Sequence, residues 1–185
     1  MRLRHVISGM IATFCLVAPQ TGRAQEPITE APKDVSVQVF LSSTCPINNG
    51  YAPELQRLRR DYIAKGITFA AVYSAEHDRK AASGHAKQFG LTGYRVVHDS
   101  KQDYARKAGI TTTPEVAVWD ARGVLRYRGR IDDRYAALGV RRETARKSDL
   151  RNALNALVAG KAVPVPRTRA IGCVLPKLES EKSKP

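Results

Sequence analysis

Apolar and polar residues alternate from Val35 to Leu41, with Val35, Val37, Val39 and Leu41 on one face, the period-two signature of a strand. The chain then runs into Ser42-Ser43-Thr44-Cys45-Pro46, where the period changes. Leu55, Leu58 and Tyr62 fall at helical spacing, in a helix that begins near Asn48 to Ala52 and stops at Gly66. Ile67 to Tyr73 is an apolar, β-prone run and predicts a second, buried strand. Ala81, Ala82, His85 and Phe89 predict a helix from His77 to Phe89, ended by Gly90. Tyr94 to His98 is a short strand, and Lys101 to Ala108 a short helix ended by Gly109. Beyond Ile110-Thr111-Thr112-Thr113-Pro114 comes a strand from Glu115 to Trp119. Asp120-Ala121-Arg122-Gly123 predicts a hairpin turn and Val124 to Gly129 its returning strand. A polar, Arg-rich connection leads to a final amphipathic helix marked by Leu150, Ala153, Leu154, Leu157 and Val158 and stopped by Gly160.

The order is β-α-β-α-β-α-β-β-α. The early alternation requires parallel strands joined by helical crossovers, and the late hairpin adds antiparallel ones. The expected fold class is therefore α/β, a mixed central β-sheet flanked by helices on both faces. Residues 35–160 would form this domain. Residues 25–34 (QEPITEAPKD) form a flexible, Pro-rich lead-in, and residues 161–185 an extended C-terminal tail that carries Cys173. No internal repeat is present. A chain of 185 residues, 43% hydrophobic and 26% charged, is ordinary for one globular domain and excludes disorder or a disulfide-dense scaffold as whole-chain readings. No apolar run reaches the roughly 18 residues of a spanning helix.

The first 24 residues look like an address. Arg2 and Arg4 form a basic start, His5 to Val17 is mostly apolar, and Gly22-Arg23-Ala24 puts small residues where a signal peptidase reads, predicting cleavage before Gln25. Cys15 lies in the apolar stretch and is preceded by Phe14, which does not fit a lipoprotein signal. An uncleaved anchor is the alternative, for which the stretch is short. Cleavage would remove Cys15 and three arginines but no acid, lowering the net charge of +14 by three. The odd count of three cysteines becomes a pair, Cys45 and Cys173, in an exported (periplasmic or secreted) protein, where a disulfide can form and persist.

Cys45 sits where an apolar strand becomes a helix. Unpaired N–H groups and the macrodipole at a helix start favour negative charge and so favour a thiolate. Pro46 suits the first turn, where its missing N–H is not needed. The hydroxyls of Ser42, Ser43 and Thr44 could donate to a thiolate or to a bound oxyanion. The alternative is an inert buried cysteine.

The run strand, Ser-Thr-Cys45-Pro46, helix, followed by Thr113-Pro114 ahead of a hairpin, resembles the thioredoxin-like superfamily. Within it the chain is most similar to the redoxin branch, which includes the AhpC/TSA (peroxiredoxin-related) antioxidant group and membrane-facing thiol–disulfide proteins. The resemblance covers roughly residues 35–160. It implies that Pro114 is a cis-proline packed against the active cysteine, and that Thr113 and Pro114 form a wall where a substrate backbone docks. Pro46, Ser42 and Thr44 would complete that substrate-binding set. Departures from the pattern are specific. Asn48 stands where Cys-x-x-Cys would place a second thiol, Val39 where thioredoxins bury an acid, and Gln38 where peroxiredoxins carry a proline. Ser42 matches the peroxiredoxin Ser/Thr. Arg128 or Arg130 would be the arginine that holds a thiolate and peroxide.

A second thiol must then come from Cys173. Val163-Pro164-Val165-Pro166 favours extension, and the stretch from Gly160 to Cys173 could cross roughly 40 Å, while Gly172 permits close backbone approach. Three readings stand: Cys173 resolves a mixed disulfide or sulfenic acid on Cys45; the pair is a staple for the tail; or the bond is intermolecular. His77, His85 and His98 are scattered and fit no paired zinc motif, though Cys45, Cys173 and His98 could imitate a copper site.

Ten Lys/Arg face four acids between Arg122 and Arg151, charge suited to an acidic protein or an anionic membrane surface, or simply to a solvated face, rather than to nucleic acid. Arg130-Ile131-Asp132-Asp133 could order a loop over the site by ion pairing. The expected activity is thiol–disulfide oxidoreduction, with Cys45 as nucleophile and Cys173 as resolving thiol. Its substrates would be protein thiols, disulfides or peroxide, with a separate reductant and no dissociable cofactor. The alternative is a non-enzymatic copper-handling or disulfide-stapled binding protein.

Overall fold

A computed structural model describes residues 34–73 and 78–176. The expected signal segment, nearly all of the lead-in and His77 lie outside the described residues. The elements run β1 (Ser36–Leu41), α1 (Pro46–Ile63), β2 (Thr68–Tyr73), α2 (Arg79–Gln88), β3 (Arg95–His98), α3 (Asp103–Ala108), β4 (Thr112–Thr113), β5 (Glu115–Trp119), β6 (Leu125–Gly129), β7 (Tyr135–Ala137), β8 (Val140–Arg141), α4 (Asp149–Val158) and β9 (Cys173–Val174).

Five strands form the central sheet in the order β3-β2-β1-β5-β6. β1 pairs in parallel with β2, and β2 with β3, across helical crossovers. β5 runs antiparallel to β1 and to β6. This is the mixed α/β sheet expected from the chain order. Its two faces follow from the pleat, which sends alternate side chains to opposite sides. Val37, Val39 and Leu41 of β1, Val116 and Val118 of β5 and Tyr127 of β6 pack with Leu55 and Leu58 of α1, Ala82 and Ala86 of α2, and Leu150, Leu154 and Leu157 of α4. On the other face Phe40, Ala70, Val72 and Ala117 pack with Ala105 and Ala108 of α3.

Helix boundaries have local causes. Asp78 caps α2 by accepting from the Ala81 N–H at 2.6 Å. The Asp99 carboxylate accepts the Tyr104 and Ala105 N–H groups at the start of α3. α1 begins at Pro46, earlier than the apolar spacing implies, because proline at the first position has no N–H to leave unpaired.

The polar, Arg-rich connection contains two short strands that its pattern did not predict. It holds the β7–β8 hairpin, which pairs Tyr135 with Arg141 and Ala137 with Val140. Strands of three and two residues are too short to show alternation, and the hairpin is held by side chains instead. Tyr51 of α1 donates its phenol to the Asp132 carboxylate at 2.7 Å. The Tyr51 and Tyr135 rings lie 5.2 Å apart, and the Arg134 guanidinium stands 5.6 Å from the Tyr51 ring centre. Gly50 makes room for this: a Cβ there would sit 2.1 Å from the Tyr135 hydroxyl.

The tail from Gly160 to Pro176 is extended and docked. The Arg128 N–H donates to the Pro166 carbonyl at 2.9 Å and the Thr168 N–H to the Arg128 carbonyl at 3.0 Å, laying the tail along β6. The Tyr127 and Thr168 hydroxyls are 2.7 Å apart. Further on, β9 pairs antiparallel with β4, the Leu175 N–H donates to the Thr111 carbonyl, and the Gln102 amide donates to the Pro176 carbonyl.

Candidate active site

Cys45 is the residue that caps α1, in an extended conformation. Its N–H donates to the Ser42 carbonyl at 3.2 Å, and its own carbonyl accepts from Asn48 N–H at 3.1 Å. Asn48, in the place of a second Cys-x-x-Cys thiol, reaches back across this turn and donates its side-chain amide to the Ser42 carbonyl. Its Oδ1 is buried with no hydrogen-bond partner among the described residues. The hydroxyls of Ser42 and Thr44 are hydrogen-bonded to each other at 3.0 Å. The hydrogen bond that Cys45 Sγ makes runs to the Thr113 carbonyl at 3.5 Å.

Thr113 is the hinge of the arrangement. It is buried, it precedes a cis peptide to Pro114, and it is paired across the β4–β9 ladder with Cys173. One residue therefore touches the Cys45 thiol through its carbonyl and faces Cys173 through its backbone. Gly172 makes the approach possible, because a Cβ there would lie 2.1 Å from the Thr113 carbonyl oxygen. Cys45 and Cys173 are the cysteines among the described residues and are not joined as a disulfide. Cys45 is only 1% exposed, whereas Cys173 is half-buried.

Pro46, Ile47, Tyr135, Leu138, Gly139, Arg141 and Cys173 line a cavity of about 320 Å3. Four of these, Tyr135 to Arg141, come from the β7–β8 hairpin. Sequence reasoning missed them, and the signal that could have found them was Gly139 between two short apolar stretches. Gly139 has a φ of 75°, as the turn requires. The hairpin's acids are engaged in holding it. Asp132 pairs with Arg134 and accepts the Arg134 N–H. Asp133 accepts the Lys147 and Arg146 N–H groups and lies 3.8 Å from the Arg142 guanidinium. The Lys147 N–H first, with those of Arg146 and the charge of Arg142, holds the Asp133 carboxyl below its ordinary range. Burial, reinforced by the Asp132 carboxylate, pushes the Tyr51 phenol well above its ordinary range, so it stays a donor.

The arginines expected near the thiol are occupied elsewhere. Arg128 binds Glu115 at 2.8 Å and Arg130 binds Asp149 at 2.7 Å. The pleat explains Arg128: it neighbours Tyr127, which packs on the α1 face, and so it points to the α3 face. His98 ends β3, which is separated from β1 by β2, so the imagined copper set of Cys45, Cys173 and His98 is not brought together. Among the described residues no group of three His, Cys, Asp or Glu could hold a metal ion. His85 is buried in a small network, with Nδ1 2.8 Å from the Tyr73 hydroxyl and Nε2 3.0 Å from Asn49 Oδ1.

Residues 18–141 match the Redoxin family model. Among solved structures, the chain is similar to an uncharacterized conserved protein of Geobacillus kaustophilus (TM-score 0.68, 26% identity, 80% of each chain covered). It is also similar to a hypothetical protein of Sinorhizobium meliloti 1021 (TM-score 0.69, 24% identity, covering 80% of this chain and 82% of that one). DsbF of Mycobacterium tuberculosis shares the fold at a TM-score of 0.51 and 19% identity, over 68% of this chain and 82% of its own. Among curated proteins, none matches.

Proposed function

This chain belongs to the Redoxin family and has a thioredoxin-like fold, and from that premise we propose that it is an exported thiol–disulfide oxidoreductase whose redox pair is Cys45 and Cys173. The observation that carries the reading is the double role of Thr113, hydrogen-bonded to the Cys45 thiol and laddered to Cys173. In the proposed cycle Cys45 is the nucleophile. β9 is two residues long and lifts to admit a substrate disulfide between Pro46 and the Thr113–Pro114 wall. The Cys45 thiolate attacks one substrate sulfur, and the other leaves as a thiolate. The Cys173 thiolate then attacks Cys45 Sγ, the mixed disulfide breaks, and the substrate departs as a dithiol while the enzyme becomes the Cys45–Cys173 disulfide. Two electrons pass to the substrate, and a separate reductant restores the pair.

A peroxide could replace the substrate disulfide, with a sulfenic acid on Cys45 and water released when Cys173 attacks it. Disulfide exchange is the better supported of the two, because Arg128 and Arg130 are committed to Glu115 and Asp149.

Oxidation by excess oxidised dithiothreitol, followed by non-reducing digestion and mass mapping, should recover a Cys45–Cys173 peptide from monomeric protein. Turnover is read as dithiothreitol-dependent reduction of insulin: Cys45→Ser should abolish it, and Cys173→Ser should accumulate a mixed disulfide on Cys45. Recovery of both thiols unlinked overturns the pairing. Full activity in Cys45→Ser would make the bond a staple.

A further inference from the structure

The two cysteines of the proposed pair differ in what they present to the outside. Cys45 is closed in beneath Thr113 and the hydrophobic core. Cys173 forms part of the wall of the 320 Å3 cavity, a volume at the lower end of the range for binding pockets, about 300–1,000 Å3. It suits one large apolar side chain with its flanking backbone.

We propose that this cavity is the docking subsite for an acidic, apolar segment of a reducing protein dithiol, and that it delivers the partner's thiol to Cys173 rather than to Cys45. The inference rests on the Cys45–Cys173 redox pair and names the partner that restores it.

Three features select that occupant. The walls are apolar, from Pro46, Ile47 and Leu138, and the hairpin and strap around them leave large apolar side chains in water: Leu138 is 67% exposed, Val140 54% and Val174 80%. Isolated exposed apolar residues need no explanation, but a set around a concave site marks an interaction surface. The charged residue of the lining is Arg141. Asp132 and Asp133 are held by Arg134, Arg142 and backbone N–H groups, so these two acids do not compete with an acidic partner for Arg141. Finally, the site is concave and has a cysteine in its wall. A bilayer surface would neither fill a cavity nor use a sulfur, whereas a protein thiol does both.

The step balances as exchange. The partner's thiolate attacks Cys173 Sγ, the Cys45–Cys173 bond breaks, and its electron pair leaves on Cys45 Sγ, which takes a proton from solvent. The partner's second thiol then attacks the partner sulfur in the mixed disulfide. Cys173 leaves as a thiolate and is protonated, and the partner is left as a disulfide, two electrons poorer.

The test uses the full chain carrying Cys15→Ser together with either Cys45→Ser or Cys173→Ser, so that one of the two thiols remains. The probes are two hexapeptides with a single cysteine activated as the thionitrobenzoate mixed disulfide. One has Leu before the cysteine and Glu after it; the other has Leu and Lys. The Cys45→Ser protein should release thionitrobenzoate from the acidic peptide about fivefold or more faster than from the lysine peptide, and faster than the Cys173→Ser protein does with either. Adding Leu138→Ser or Arg141→Glu, both at exposed positions, should erase the preference while circular dichroism melting shows the fold intact. A faster reaction in Cys173→Ser overturns the assignment of the exchanging sulfur. Equal rates with both peptides overturn the docking subsite. Leu138-dependent sedimentation with phosphatidylglycerol vesicles, in place of a peptide preference, would make this face a membrane surface. None of these rates requires the Cys45–Cys173 bond to form, so they fail independently of the sulfur mapping described above.

Discussion

Asn48 occupies the place where a Cys-x-x-Cys motif would carry its second thiol, and its amide does what a thiol does poorly: it donates a strong hydrogen bond to the Ser42 carbonyl and so braces the turn that presents Cys45. Replacing it should separate these roles. Asn48→Cys restores a thiol one helical turn from Cys45, and oxidative mapping should find the introduced sulfur competing with Cys173 for Cys45. The same substitution removes one of the two donors to the buried Ser42 carbonyl and leaves the Cys45 N–H in place, which should cost about 0.5–1.5 kcal/mol, read as a lower denaturant midpoint for the reduced protein. The Cys45 position was legible in the chain because a strand-to-helix change is a local pattern. The Cys45–Thr113 hydrogen bond was not, since no spacing rule links residues that distant in sequence.

At the scale of elements, the tail and the hairpin decide what the cysteines face. β9 reaches Thr113 only because Gly172 has no side chain; a Cβ would meet the Thr113 carbonyl oxygen at 2.1 Å and its carbon at 2.7 Å. Backbone atoms of a buried strand cannot yield that much, so Gly172→Ala should displace Cys173 by an ångström or more. Oxidation of the Cys45–Cys173 pair, followed by quenched alkylation, should slow by roughly 10–100-fold, with little change in the melting of the reduced protein. Gly129 plays the same part earlier in the tail: its φ of 149° and the 2.2 Å between a hypothetical Cβ and Thr168 Oγ1 leave room for glycine alone.

The hairpin depends on Asp133, whose carboxyl is held below its ordinary value of 3.8 by the Lys147 and Arg146 N–H groups and Arg142. A carboxyl depressed in the folded state adds stability above its unfolded pKa and loses it as pH falls through the folded one. Asp133→Asn should therefore melt lower than the parent at pH 7, and the difference should shrink below about pH 4 and vanish in stronger acid. Melting curves of both proteins across pH 2 to 7 check this. A gap that persists undiminished at the acid end would contradict the assignment.

For the molecule as a whole, a Cys45–Cys173 bond closes a loop that includes most of the described chain. In the chain-entropy account a loop of this length stabilises by about 4–5 kcal/mol, which for a domain of this size corresponds to a rise in melting temperature on the order of 10 °C. Calorimetry of the oxidised and reduced forms should show that difference, and Cys173→Ser should remove it. The catalytic pair would then also set the stability of the fold, with the reduced form the one whose strap is able to lift.

The chain's hydrophobic pattern was enough to give the five strands of the central sheet, the helices and their order, and hence the mixed sheet, because periods of 2 and 3.6 are local and turn residues mark the ends of the shorter elements. It also singled out Cys45, Thr113-Pro114 and the extended tail. Tertiary structure alone decided the rest. The β7–β8 hairpin is built from strands of three and two residues held by Tyr51, Asp132 and Asp133 rather than by a pattern. Arg128 and Arg130 were drawn to Glu115 and Asp149, because the pleat and the docking of α4 put those carboxylates within reach. Cys173 came to lie opposite Thr113, on the wall of a cavity that Cys45 does not line. Those are outcomes of packing between residues far apart in the chain, where proximity is set by the whole fold and not by any neighbour.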